Sequence, residues 1–138
     1  MDKKDLQKRL KMLAIGTARL CFRLPYNICN KVYIDQIVRS SSSSAANYRA
    51  ACRGKSKPDF LNKLKTVEEE LDETMFFYEM LAEFNPENKK ELRVLYIEAN
   101  ELLSIIVTSI NTTNSNLLKE SSKKIQNPKS KIKNGKQN

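Results

Sequence analysis

The sequence predicts an all-α protein, an antiparallel up-down-up-down four-helix bundle, and three observations carry that reading. Leucine-type residues recur at alternating spacings of three and four along most of the chain. Prolines or glycine stand where those stripes break, at Pro25, Gly54, Pro58 and Pro86. With only three glycines and four prolines in 138 residues, the turn signals of a multi-stranded β protein are missing. A chain of this length fits one domain with a core of its own.

The first predicted helix, about 3–24, carries Leu6, Leu10, Leu13, Thr17, Leu20 and Leu24 on one stripe, with lysines and arginines mostly elsewhere. Pro25 stops it, because proline donates no backbone bond and disfavours helix in the residue before it. Asn27 is placed to cap a second helix, about 27–54. That helix holds the one ambiguous stretch. Ser40–Ser44 reads locally as a linker, since serine competes for its own backbone. The alanines that follow, Ala45, Ala46, Ala50 and Ala51, favour one continuous helix with a ridge of small side chains. Residue patterning alone leaves both readings open.

Gly54 closes the second segment as a C-terminal glycine, and Ser56-Lys57-Pro58-Asp59 opens a third helix, about 57–84, with a cap, an early proline and an acid in the first turn. Its stripe of Phe60, Leu64, Val67, Leu71, Thr74, Tyr78 and Leu81 is the clearest heptad in the chain. Met75, Phe76, Phe77 and Met80 lie off that stripe, so the helix is apolar on more than one side, and these four are the candidate oligomer interface. Asn85-Pro86 repeats the cap-plus-proline start. A fourth helix, about 86–115, follows with Leu92, Leu95, Ala99, Leu102, Ile106 and Ile110. It is expected to fray near Asn111–Asn114, where poor helix formers cluster. The bundle is thus expected over residues 1–118 and a basic flexible tail over 119–138. Short connections force successive helices antiparallel.

Charge is unevenly placed. The net +9 divides into +6 over residues 1–31, +4 over 32–57, −6 over 58–100 and +5 over 101–138. Such a pattern can hold helices together as well as attract an outside anion. Lys3, Lys4, Lys8, Arg9 and Lys11 of the first helix are the candidate nucleic-acid contacts through phosphate, although aromatics for base stacking are sparse there. Arg39, Arg49 and Arg53 on the second helix are expected to pair with Glu70 and Glu73 on the third, where arginine's planar fork suits half-buried carboxylates.

No catalytic, cofactor or metal site is expected. The chain has no histidine, and Cys21, Cys29 and Cys52 form no CxxC pair, so the soft ligand set of a zinc site is missing. The acidic run from Glu68 to Glu73 has carboxylates but not the Glu-x-x-His pairs of a di-iron bundle. Phosphate-binding glycine loops and nucleophile elbows are missing too. The N-terminus lacks the uninterrupted apolar core of a signal peptide. The uncharged run Leu102–Leu118 is broken by serines, threonines and asparagines, which argues against a membrane span. A soluble, cytoplasmic protein is the expectation.

The stretch Arg39–Lys63, RSSSSSAANYRAACRGKSKPDFLNK, resembles the bacterial four-helix-bundle proteins associated with intervening sequences in 23S ribosomal RNA genes. That family's pattern is an arginine-serine, a run of small residues, an alanine-asparagine-tyrosine-arginine segment, then an arginine, a lysine-serine and a phenylalanine. It is met by Arg39, Ser40, Ala46, Asn47, Tyr48, Arg49, Ala51, Arg53, Lys55, Ser56, Phe60 and Lys63, and its later acidic portion by Glu70, Asp72, Glu73, Thr74 and Tyr78. The resemblance spans roughly residues 5–112. Two positions depart from the pattern: serines replace the usual glycines of the small-residue run, and Ala50 stands where a glutamate is usual. The resemblance implies a left-handed bundle with the serine run inside helix two, and assembly as a ring-like homo-oligomer, with a homopentamer favoured. Molecular function in the family is poorly defined. A related branch serves retroelement reverse transcription as a basic, RNA-binding accessory protein, which makes RNA the alternative partner. A self-associating scaffold or interaction module is the leading expectation.

Overall fold

A computed structural model describes residues 1–126, which form four helices: α1 (Lys3–Phe22), α2 (Ile28–Cys52), α3 (Lys57–Phe84) and α4 (Lys89–Gln126), with a single 3-10 turn at Pro86–Asn88. The ends are set by local chemistry. Asp2 and Asp5 form a reciprocal capping box at the start of α1, the Asn27 side chain accepts from the Asn30 amide at 2.8 Å, and that of Ser56 from the Asp59 amide at 3.2 Å. The caps expected at Asn27 and Ser56 are therefore present.

Asn85 behaves differently from expectation. Its side chain makes no capping bond. It is instead buried, donating to the Leu81 carbonyl at 2.8 Å and exchanging two amide bonds of 2.7 and 2.8 Å with buried Asn30. Asn30 also donates to the Pro25 carbonyl at 2.9 Å, so one small network ties the first connection, α2 and α3 together. Gly54 differs too. Its φ is not positive, and an added Cβ would stand only 3.0 Å from the Ala51 carbonyl oxygen, so it serves close approach and not a left-handed turn.

The core is one continuous cluster. α1 contributes Leu6, Leu10, Leu13 and Leu20, α3 contributes Leu61, Leu64, Val67, Leu71, Tyr78 and Leu81, and α4 contributes Leu92, Ala99, Leu102, Ile106 and Ile110. Each leucine so buried stabilises the fold by roughly 1.5–3 kcal/mol relative to exposure. The helices lie around a square, α2 between α1 and α3, and α4 closing from α3 back onto α1. Arg23 near the end of α1 meets Glu91 near the start of α4, and Asn30 near the start of α2 meets Asn85 just beyond α3, so these neighbours run antiparallel.

α2 is a single helix through Ser40–Ser44. Ser40, Ser41 and Ser44 are buried, and their hydroxyls donate to carbonyls of the preceding turn or meet Thr74 Oγ1, Ser40 at 2.8 Å. The serine backbone thus stays helical because its side-chain hydrogen bonds are satisfied on the helix itself and on α3.

α4 runs further than its composition suggests. The expected fray at Asn111–Asn114 and the expected tail from residue 119 both give way to helix as far as Gln126. Thr113 is buried with its hydroxyl donating to the Ser109 carbonyl at 2.8 Å, Leu117 packs on the core, and Glu120 pairs with Lys57 of α3. Tertiary contacts override weak local propensity here. The rest of the expected tail, 127–138, lies outside the described residues. Within the helical stretch Pro86–Ile125, one 18-residue window reaches a mean hydropathy of 1.2, enough by length and composition alone to cross a membrane, and 22% of that window is buried in the bundle.

Candidate functional site

A groove of about 600 Å3 opens between α1 and α2. Its floor is Ala14, Ile15, Ala18, Ala45 and Ala46, and its rim carries Lys8, Lys11 and Arg49. The groove exists because small residues, Ala14 and Ala18 on α1 and Ser42, Ala45 and Ala46 on α2, leave a channel that larger side chains would close. On α1 the residues Lys4, Lys8, Lys11, Ile15 and Ala18 follow one stripe, basic at its N-terminal end and apolar beyond. Among the described residues, Lys8, Lys11 and Arg49 have no ion-pair partner.

The remaining first-helix cations are partly engaged. Arg9 is clamped by Glu98 and Glu101 of α4, each at 2.6 Å, and the Glu98 hydrogen bond is the main reason its pKa rises above the ordinary value. That pairing removes Arg9 from the candidate phosphate contacts, because its fork is already filled by carboxylates. Lys3 lies 4.7 Å from the Phe60 ring centroid, a cation–π contact. Lys4 is exposed.

The arginine–carboxylate set is centred on Arg39. Its guanidinium donates to Glu70 at 3.2 Å and to Glu73, whose hydrogen bond chiefly raises the Arg39 pKa. Burial opposes ionisation of Glu70, but hydrogen bonds from Ser43 and Arg39 outweigh it and leave its carboxyl below the usual range. Arg49 and Arg53, expected in the same set, pair with neither acid. Arg49 turns to the α1 groove, and Arg53 sits at the C-cap of α2 with its backbone amide donating to the last carbonyls. Ten residues separate Arg39 from Arg49, which places them about 80° apart around the helix.

The other family-pattern residues are structural. Tyr78 is buried and shares a 2.6 Å hydrogen bond with Thr17, reaching from α3 to α1. Tyr48 is buried beside Cys52; burial first, then that hydrogen bond, pushes its phenol pKa up. Asn47 donates to the Ser43 carbonyl at 2.9 Å, and Phe60 is half-buried against the core, as Lys63 is half-buried on α3. The three cysteines are free, and burial raises the Cys21 thiol to about 11. Among the described residues, no group of three or more His, Cys, Asp or Glu is placed to hold a metal ion.

Of the four interface candidates, Met75 is corrected. It is buried in the protomer's own core, because α3 turns a broad face inward at this level between α2 and α4. Phe77 is half-buried, with its ring centroid 6.1 Å from that of Tyr33 of α2, and Met80 is half-exposed. Phe76 stands out at 51% exposure, in a line with Glu69, Asp72, Glu79 and Glu83 along the outer surface of α3. Among the described residues these four carboxylates have no ion-pair partner. Reasoning from sequence missed both the Asn30–Asn85 pair and the α1–α2 groove. The four-residue spacing of Ala14 with Ala18 was the available signal for the second.

Neither a family model nor a curated protein matches the chain. A solved structure does: a protein of unknown function from the S23 ribosomal protein family of Bacteroides thetaiotaomicron VPI-5482, with a TM-score of 0.71 over 80% of this chain and 99% of that one, at 24% identity. The two chains share a fold. At that level the likeness agrees with the resemblance carried by Arg39–Lys63. The match says nothing about what the fold does, since bundles host many functions.

Proposed function

We propose that this chain is a non-enzymatic bundle of the family that its Arg39–Lys63 stretch resembles, acting in the cytoplasm by self-association as a scaffold or interaction module. A closed ring is the favoured form, with five copies the favoured number. The supporting observation is apolar surface that one copy leaves wet. Phe22, Tyr26 and Ile28 are 89%, 86% and 81% exposed around one end of the bundle, and Val94 and Ile97 stand out from α4. A monomeric soluble domain rarely leaves so many large apolar side chains uncovered together. Light scattering coupled to size exclusion tests the reading: a multiple of the 15.9 kDa chain supports it, and a monomer at micromolar concentration refutes it.

A second reading, an RNA-binding accessory protein, is favoured by the unpaired cations Lys8, Lys11 and Arg49 around the α1–α2 groove. Phosphate contacts strengthen as salt falls, so structured RNA titrated across a salt series should bind most tightly at about 50 mM. No binding there removes this reading.

A further inference from the structure

We propose that the α1–α2 groove of one copy receives the outer stripe of α3 from the next copy, with Phe76 seated on the alanine floor and the flanking carboxylates on the basic rim. The proposal rests on the self-association reading and adds to it a contact made by surfaces other than the exposed Phe22, Tyr26 and Ile28. Three observations carry it.

The first is charge complementarity between two surfaces whose charges form no ion pair within the protomer among the described residues. Lys8, Lys11 and Arg49 border the groove, and Glu69, Asp72, Glu79 and Glu83 border Phe76, all without an ion-pair partner among the described residues. Potentials of opposite sign on two such faces steer the faces together and set their register.

The second is pattern. Read from its N-terminal end, the α1 stripe is Lys8, Lys11, Ile15, Ala18, and the α3 stripe is Glu69, Asp72, Phe76, Glu79. Both use spacings of three, four and three, so each covers about 15 Å of helix. Laid side by side in the same direction, Glu69 meets Lys8, Asp72 meets Lys11, and Phe76 meets Ile15. Arg19, exposed one residue beyond Ala18, then stands near Glu79. The result is an apolar centre with a charged rim, the usual anatomy of a specific interface.

The third is symmetry. Groove and stripe are different surfaces of one protomer, so each copy gives one and takes one. Such a heterologous contact makes a ring when its rotation closes. A twofold contact would need one patch to match itself, whereas a basic groove facing a basic groove repels.

The test uses charge reversal on the full chain, with sedimentation equilibrium for assembly and circular dichroism melting for fold. Lys8→Glu with Lys11→Glu reverses the groove, and Glu69→Lys with Asp72→Lys reverses the stripe. Each pair alone is expected to weaken association at least tenfold while the bundle still melts cooperatively, and Phe76→Asp should do the same. Combining all four reversals in one chain restores the complementarity and is expected to restore assembly. A wild-type chain that is monomeric overturns the self-association reading itself. A wild-type chain that assembles and is indifferent to either reversal overturns this contact and leaves that reading standing, as does a four-fold variant that fails to reassemble. Loss of RNA binding on groove reversal, with assembly unchanged, gives the groove to nucleic acid and likewise overturns the contact.

Discussion

The seam between α2 and α3 and the seam between α1 and α4 hold the same bundle together by different means. Along α2–α3 the join is mainly interior, with Arg39 holding Glu70 and Glu73 at its edge. Buried serines of α2 let α3 approach, Ser40 reaches Thr74, the Asn30–Asn85 amides lock one end, and Tyr33 stacks on Phe84 at 5.9 Å between ring centroids. Along α1–α4 the join is largely at the rim, where Arg9 holds Glu98 and Glu101, Arg23 holds Glu91, and Gly16 faces Leu95. The first seam depends on shape and satisfied polar groups, which tolerate little change. The second depends on half-exposed ion pairs, each worth less than about 1 kcal/mol and weakened by salt.

The sharpest way to break the comparison is to spoil the close approach. Ser44→Leu forces a larger side chain into a buried site and is expected to cost about 3 kcal/mol, the upper part of the usual range for overpacking. Ala50→Leu, at an exposed position of the same helix outside the groove, serves as its control. Urea denaturation reads the difference, and equal midpoints would show that the ridge is not tightly packed. Next comes the amide pair. Asn30→Ala leaves the Asn85 side chain buried with a lost partner and should cost about 2 kcal/mol, with clear coupling to Asn85→Ala in a double-mutant cycle. Additive losses would mean that the two amides act independently.

The third prediction uses pH. Glu70 has a folded-state pKa below its ordinary value of 4.5, so its ionised form stabilises the fold above that value, and the contribution is lost as pH falls through the folded pKa. Glu70→Gln should flatten the acid limb of a stability–pH curve. An unchanged limb would place the acid sensitivity elsewhere. The smallest effect is expected at the other seam: Gly16→Ala adds a Cβ at 3.4 Å from the Leu95 side chain. Because alanine is the better helix former, the variant should gain up to about 1 kcal/mol, readable as a small rise in melting temperature. A loss would reveal that α1 and α4 approach as closely as α2 and α3 do.

These contrasts follow how far each feature could be read from the chain. The α2–α3 ion pairs were half legible: the acids Glu70 and Glu73 were the right ones, while of the three arginines only Arg39 faces them. Sign and spacing show that charges can meet, but the face a residue presents depends on how its helix is rolled against its neighbours. The interface candidates show the same limit. Met75 and Phe76 are adjacent and both apolar, yet one lies in the core and the other on the surface. Off-stripe residues at a helix flank go inward or outward according to the width of the neighbouring seam.

The amino-acid sequence by itself determined the four helices, the caps at Asn27 and Ser56, and the leucine stripes that close the core. Those depend on bonds within three or four residues and on a periodicity that any helix must obey. Only the tertiary structure decided that Asn85 pairs with Asn30 across 55 positions of chain, that α4 continues past its asparagines, and that Arg49 opens onto a groove. Each of those outcomes is set by what a distant segment brings to the same place, because a polar side chain takes whichever partner satisfies it at burial and a weak helix persists wherever a neighbour packs against it.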